Sequence, residues 1–206
     1  KLVAGPTLQT EAFILNRDAP KEAFQPFTAF SAEHGNLRIL QRIPRKPTPT
    51  HSPLDLFDRV ALMLDAGSSG TWFVKEVRVL ERFAAIGAGY RRLQYAVEFI
   101  SLIARNPMHE DSRESVYRLL QTALSAFAHS ERPDVVGFKS HFCFARDEGY
   151  PIKEHWFPTL LRDDRSAVAE LLNQPAADQT LETDAVARLH QKLEDYLRGH
   201  TDILVD

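Results

Sequence analysis

The chain has 206 residues, of which 44% are hydrophobic and 26% are charged, a balance typical of a folded globular protein. No apolar run approaches the roughly 20 residues that a membrane-spanning helix needs, and the single cysteine excludes an internal disulfide and a multi-cysteine zinc site. The net charge of −3 argues against a protein that coats DNA indiscriminately, although residues 1–80 carry ten basic and eight acidic side chains and are therefore locally positive.

Alternating hydrophobicity predicts that the first 80 residues form β structure. Turn signals stand at His34-Gly35 and in the GSSG sequence at 67–70. Four prolines between residues 44 and 53 indicate a stiff, exposed loop, because proline cannot donate to a sheet. We predict strands at 9–15, 23–31, 36–43, 54–65 and 72–80. Five short strands joined by turns favour a small closed β-barrel, since closure removes exposed strand edges.

The third predicted strand leads cations towards the proline-rich loop. One face of this strand carries Leu37, Ile39 and Ile43, with Gln41 as the polar exception. Arg38 and Arg42 alternate with them and are therefore predicted to point outward. Arg45 and Lys46 follow directly in the loop, and no acidic residue interrupts the segment 38–51. Such a local cluster attracts anions even when the total charge is negative.

The second predicted strand is rich in aromatic rings, with Phe24, Phe27 and Phe30. Rings beside cations suit a single-stranded nucleic acid, because bases stack on the rings and phosphates pair with the cations. We therefore predict that Phe27 and Phe30 stack on bases and that Arg38, Arg42, Arg45 and Lys46 contact phosphates. The alternative is an ordinary hairpin with a solvated basic loop, in which both rings fill the barrel core.

After residue 86 the hydrophobic period changes to that of helices. Stripes of apolar residues predict helices at 90–104, 112–127, 135–149, 164–173 and 186–197. Asp111 to Glu114 has the pattern of a capping box at the start of the second helix, and Gly149 and Gly199 are predicted to end two others. We predict an α+β protein of two domains: a five-stranded β-barrel over 1–80 and an α-helical bundle over 81–206.

The helix at 135–149 carries a second candidate site. Phe138, Phe142 and Ala145 form its apolar stripe. Lys139, Cys143 and Arg146 follow one another at helical spacing on another face. Cations beside an apolar pocket suit an acidic peptide that ends in an apolar side chain, so Lys139, Arg146 and Phe142 are predicted to bind such a partner. The alternative is a half-buried helix with a solvated basic edge.

The positions of cysteine, histidine and glycine in the sequence do not favour an enzymatic site or a metal site. Cys143 lies two residues from His141, a spacing that separates two side chains on a helix, so a small hydrolase built on Cys143 needs a distant histidine. A metal site of Cys143, His141 and His155 is a further alternative. No phosphate-binding glycine loop occurs. We expect no enzymatic activity, no cofactor and no stoichiometric zinc.

Three stretches resemble the RecO family of bacterial recombination-mediator proteins. FILNRDAPKEAFQPFTAFSAEHGNLRILQRIPR at 13–45 is similar to the first three strands of that family. VGFKSHFCFARDEGYPI at 136–152 is similar to its helix that ends in Gly-Tyr-Pro, and ARLHQKLEDYLRGH at 187–200 is similar to its closing helix. The order and spacing of these motifs extend over nearly the whole chain.

The resemblance implies an N-terminal OB-fold and a C-terminal helical domain in a cytoplasmic DNA-repair protein. Such a protein binds single- and double-stranded DNA, anneals complementary strands and helps to load recombinase, with RecR and the acidic tail of single-strand-binding protein as partners. Many members carry a four-cysteine zinc module after Gly-Tyr-Pro, whereas KEHWFPTLLRDD stands here, as in members without zinc. The alternative function is a protein–protein adaptor that retains the fold and has lost DNA binding.

Overall fold

A computed structural model describes residues 6–46 and 52–205. The chain divides into two compact units, residues 1–83 and 84–206. In the part of the chain that the structure describes, the first unit holds a five-stranded sheet and the second holds six α-helices, so the mixed α+β class is confirmed. Among the described residues, no helix combines the length and the apolar character needed to cross a bilayer.

Each strand of the sheet has two hydrogen-bonded neighbours, in the order β1-β2-β3-β5-β4 with β4 again beside β1. Four of the pairings are antiparallel, and β3 pairs with β5 in parallel. The strands are β1 Thr7–Arg17, β2 Phe24–Ser31, β3 Gly35–Arg42, β4 Arg59–Ala66 and β5 Thr71–Glu81. Gly35 has φ 68° and closes the three-residue turn between β2 and β3, a position that favours glycine.

The inner face of the sheet holds an apolar core, as the alternation of β3 predicts. Its fully or almost fully buried members are Ala12, Ile14, Phe27, Ala29, Leu37, Ile39, Leu54, Val60, Leu62 and Leu64. Gln41 also faces inward, and its side chain accepts a hydrogen bond from the Leu54 amide (3.0 Å) and donates one to the Ser52 carbonyl (2.9 Å). This polar side chain therefore joins the end of β3 to the segment that follows the proline-rich loop.

The start of β4 and the end of β3 differ from the predicted bounds in ways that change the core. β4 begins at Arg59 rather than at residue 54, because Phe57 adopts a left-handed φ of 71° that breaks the ladder. Asp58 stabilises this turn by accepting the Asp55 amide at 3.0 Å, and burial raises the pKa of the Asp58 carboxyl. β3 ends at Arg42, so Ile43 is exposed instead of facing the core.

The second unit is a bundle whose apolar stripes form the core predicted from the helical period. Its helices are α1 Tyr90–Arg105, α2 Arg113–His129, α3 Pro133–Asp147, α4 Ile152–His155, α5 Arg162–Asn173 and α6 Thr183–His200. The central helix is α3, in which eleven of the 15 residues are buried.

Two predicted helix ends in this unit need correction. The capping box at 111–114 is wrong, because residues Glu110–Ser112 form a 3-10 turn and the Ser112 hydroxyl donates to the His109 carbonyl or to Glu148. Gly149, with φ 89°, follows the end of α3 as predicted, whereas Gly199 lies inside α6 and does not end it.

Candidate functional site

The outer face of β3 carries the predicted cations into the loop. Arg38 and Arg42 are exposed on the strand, and Arg45 and Lys46 are exposed after it. These four residues are called the basic face below. Arg38 lies 3.5 Å from the Asp18 carboxylate, whereas the other three make no ion pair with any residue that the structure describes. Three cations are therefore available for an anionic ligand.

The structure corrects the prediction that Phe27 and Phe30 stack on bases. Phe27 is opposite Ile39 on the inner face and is only 1% exposed, because the alternation of β2 directs it into the core. Phe30 is opposite Phe13 on β1, and both rings are completely buried. A base cannot reach either ring without opening the fold.

Two other rings lie beside the basic face. Phe24 is the cross-strand partner of Arg42, and Phe73 is the parallel partner of Leu40, so both share the outer face. Their centroids are 5.3 Å apart in an edge-to-face arrangement, and both rings are half-buried. This pair was not predicted from the sequence, although counting back from the turn at Gly35 places Phe24 opposite Arg42.

In the second unit, Lys139, Cys143 and Arg146 line one side of a groove of about 900 Å³. Phe142 and Phe157 contribute apolar surface, with ring centroids 6.2 Å apart. The remaining wall comes from the loop after α3, from α4 and from α5, that is Gly149, Tyr150, Pro151, Ile152, Lys153, Glu154, Ala169, Leu172 and Asn173. We call this the peptide groove. All the residues that line this groove lie between 139 and 173.

The electrostatics of the peptide groove favour an anion over a reactive thiol. Lys139 Nζ donates to the Gln174 carbonyl, and burial lowers the pKa of Lys139. Arg146 pairs with Asp147 at 2.8 Å on the rim. Burial raises the pKa of the Cys143 thiol against the opposing effect of the Arg146 charge, whereas a nucleophilic cysteine needs a lowered pKa. The site therefore offers cations beside apolar surface rather than an activated nucleophile.

A third group of polar side chains lies between α3 and α6. It was not predicted from the sequence. One ligand atom each from His141, His190 and Glu194 lies within 4.8 Å of the other two. The two imidazole centroids are 4.4 Å apart at a steep angle, and Phe99 and Phe138 surround them. We call this group the histidine cluster. The alternative set of Cys143, His141 and His155 is not brought together, since Cys143 lines the peptide groove and His155 is exposed.

Burial governs the charge of both histidines. It lowers the pKa of His141 to about 4 and that of His190 to about 3, so both rings are neutral at pH 7. His190 and Glu194 are four residues apart on one helix, a spacing that places both side chains on the same face. That local signal was present in the sequence, but His141 joins the pair only through the packing of α3 against α6.

The chain matches no protein-family model, and a search among curated proteins finds no matching relative. The geometry of the basic face, the peptide groove and the histidine cluster therefore carries the functional argument.

Proposed function

We propose that this protein binds DNA through the basic face and acts as a RecO-like DNA-repair protein. The observation that carries the proposal is the row of exposed cations on β3 and in the following loop, beside the half-buried pair Phe24 and Phe73. The proposed architecture is an OB-fold-like barrel followed by a helical domain, in a cytoplasmic setting.

The chemistry of the basic face suits single-stranded DNA. Arginine presents a planar fork of donors to phosphate oxygens, and Arg42, Arg45 and Lys46 have no competing carboxylate among the described residues. Bases would stack on the half-buried rings of Phe24 and Phe73, which replace Phe27 and Phe30 in this role. Double-stranded DNA would bind through the phosphate contacts alone, and promotion of strand annealing follows from a surface that holds a strand without reading its sequence.

The peptide groove supplies the proposed partner site. Lys139 and Arg146 would bind carboxylates of the acidic tail of single-strand-binding protein, and the apolar surface at Phe142 would receive its last side chain. RecR and assistance in recombinase loading complete the proposal, as the resemblance to RecO implies.

Fluorescence anisotropy with a labelled oligonucleotide at several salt concentrations tests the DNA site. In a triple variant with Arg42, Arg45 and Lys46 each changed to Gln, the slope of log affinity against log salt should fall by roughly 2, since each phosphate contact on a single strand contributes about 0.7. A matched control changes the exposed Arg78, Arg118 and Arg162 to Gln and alters the total charge equally. Equal slopes in both variants would place the DNA site elsewhere.

A double variant, Phe24→Leu with Phe73→Leu, tests the rings separately from the charge. Leucine retains apolar contact and removes the aromatic face, so affinity for single strands should fall by about 1–3 kcal/mol per stacked base. Affinity for duplex DNA should change little. Equal loss on both forms of DNA would show that the substitutions act through the fold of the sheet.

A protein–protein adaptor without DNA binding is the second candidate, because the net charge is −3 and the peptide groove does not depend on DNA. Calorimetry with an acidic peptide that ends in phenylalanine distinguishes the two. Lys139→Glu with Arg146→Glu should abolish binding, whereas Arg118→Glu with Arg162→Glu should not. Peptide binding in a protein with no measurable affinity for DNA would favour the adaptor.

A further inference from the structure

The histidine cluster contains a polar atom whose burial is otherwise unexplained. His190 is 6% exposed, and its Nε2 atom has no hydrogen-bond partner. The nearest carboxylate oxygen, Glu194 Oε1, lies 3.8 Å away, too far for a hydrogen bond. Because leaving a buried nitrogen without a hydrogen bond destabilises the fold, the position suggests a ligand that would satisfy it.

The second imidazole is oriented by its own backbone. His141 Nδ1 lies 3.0 Å from the Gly137 carbonyl, which can only accept, so Nδ1 carries the proton of the neutral ring. The lone pair is then on Nε2. A histidine that donates one ring N–H to a backbone carbonyl and offers the other nitrogen is the usual arrangement of a metal ligand.

We propose that His141, His190 and Glu194 bind one divalent transition-metal ion, with Zn²⁺ the best match, and that this ion joins α3 to α6. Two imidazoles and one carboxylate form a donor set that Zn²⁺ accepts, with water in the fourth position. Zinc bonds of about 2.0–2.2 Å bring donors to within roughly 4 Å of one another. The three donor atoms now lie within 4.8 Å of one another, so metal binding would bring them closer by roughly 1 Å.

The surroundings of the histidine cluster fit such an ion. The Glu194 side chain is 26% exposed, which provides a route from solvent and a place for the water ligand. This site uses no cysteine, so it is independent of the four-cysteine zinc module that the sequence lacks, and it revises the expectation of no stoichiometric zinc.

Titration of the chelator-treated protein tests the proposal, with ZnCl₂ followed by calorimetry and CoCl₂ followed by visible absorption. The expected result is one equivalent of either ion, with weak cobalt d–d bands and no intense thiolate band, because Cys143 is not a ligand. Glu194→Gln preserves shape and should weaken zinc binding about tenfold or more, since even loss of a supporting residue costs 10- to 100-fold.

Asp195→Asn is the matched control, because it removes one carboxylate from the next position of α6 and should leave zinc affinity unchanged. His190→Gln should remove binding. If His190→Gln loses its helical circular dichroism, it is not folded and does not report on metal binding. In that case Glu194→Gln provides the test, because the Glu194 side chain is partly exposed. The proposal is overturned if the parent protein binds neither zinc nor cobalt at one equivalent, or if Glu194→Gln binds zinc as tightly as the parent.

Discussion

Asp164 holds α5, one wall of the peptide groove, against α6. Its side chain is 8% exposed and accepts from Lys192 Nζ at 2.6 Å and from Arg188 at 2.8 Å. Asp164→Asn retains the shape and removes the charge, so both contacts become weaker. The Lys192 and Arg188 side chains are 40% and 53% exposed and can return to water, which limits the cost of leaving them unpaired. We expect a loss of about 1–2 kcal/mol in the free energy of unfolding at pH 7.

The contribution of Asp164 to the free energy of unfolding depends on pH in a direction that its pKa determines. The hydrogen bonds from Lys192 and Arg188 lower the pKa of Asp164 from its ordinary value of 3.8. Its contribution is therefore complete above that value and is lost as the pH falls through the lower pKa of the folded state. Urea denaturation at pH 7 and pH 3 should show a smaller difference between parent and variant at pH 3.

The adjacent Asp163→Asn serves as the control, because it removes the same charge from the same helical turn at an exposed position. Equal stability of Asp164→Asn and the parent at pH 7 would refute the reasoning. So would a difference that is undiminished at pH 3, because a loss that does not depend on ionisation cannot come from the two ion pairs.

Three further predictions concern packing and the thiol. Gly137→Ala should lower the melting temperature, because the new methyl would lie 2.9 Å from the Tyr95 ring and overpacking of about 1–3 kcal/mol exceeds a gain in helix propensity of about 1 kcal/mol. In Gly199→Ala the new methyl meets open space on α6, so this variant should have a higher melting temperature than the parent. A higher melting temperature for Gly137→Ala than for Gly199→Ala would contradict the packing argument. Gln41→Leu should lower the free energy of unfolding by about 1–3 kcal/mol, because it leaves the buried Leu54 amide without its acceptor. An unchanged midpoint in urea denaturation would contradict this prediction. Cys143 should alkylate slowly at pH 7 and faster as pH rises, and an acidic peptide should protect it; rapid, unprotected alkylation would exclude it from the peptide groove.

Features of the sheet that depend on a single strand could be predicted from the sequence. The alternation in β3 placed Arg38 and Arg42 outward and Gln41 inward, since side chains of a strand point to opposite faces. The role of Gln41 could not be predicted, because its partners follow the loop 11 to 13 residues later. The ring assignments failed for a related reason. Composition indicated aromatic rings near cations, and alternation within β2 places Phe24 and Phe27 on opposite faces, but only the register with β3 shows that Phe24 is opposite Arg42.

In the helical unit, the sequence predicted every described α-helix except the short α4, but not how the helices pack against one another. The spacing of Lys139, Cys143 and Arg146 correctly placed them along one edge of α3. The opposite wall of the peptide groove comes from α5, whose approach to α3 depends on tertiary packing. The same holds for the histidine cluster, in which His141 and His190 come from helices that are distant in sequence. Local periodicity carries no information about such pairs.

The choice between DNA binding and an adaptor function depends on local charge rather than on the net charge of −3. At physiological salt, charges more than about 8 Å away are largely screened, so a phosphate at Arg42 responds mainly to the side chains next to it. Arg45 and Lys46, which follow Arg42 within four residues, make no ion pair among the described residues, whereas Arg38 lies roughly 13 Å away along β3 and is partly offset by Asp18 at 3.5 Å. Lowering the salt concentration extends the range over which acidic residues repel DNA. A protein that uses the basic face should therefore gain less affinity at very low salt than its phosphate contacts alone would give, whereas its slope near physiological salt should still report those contacts.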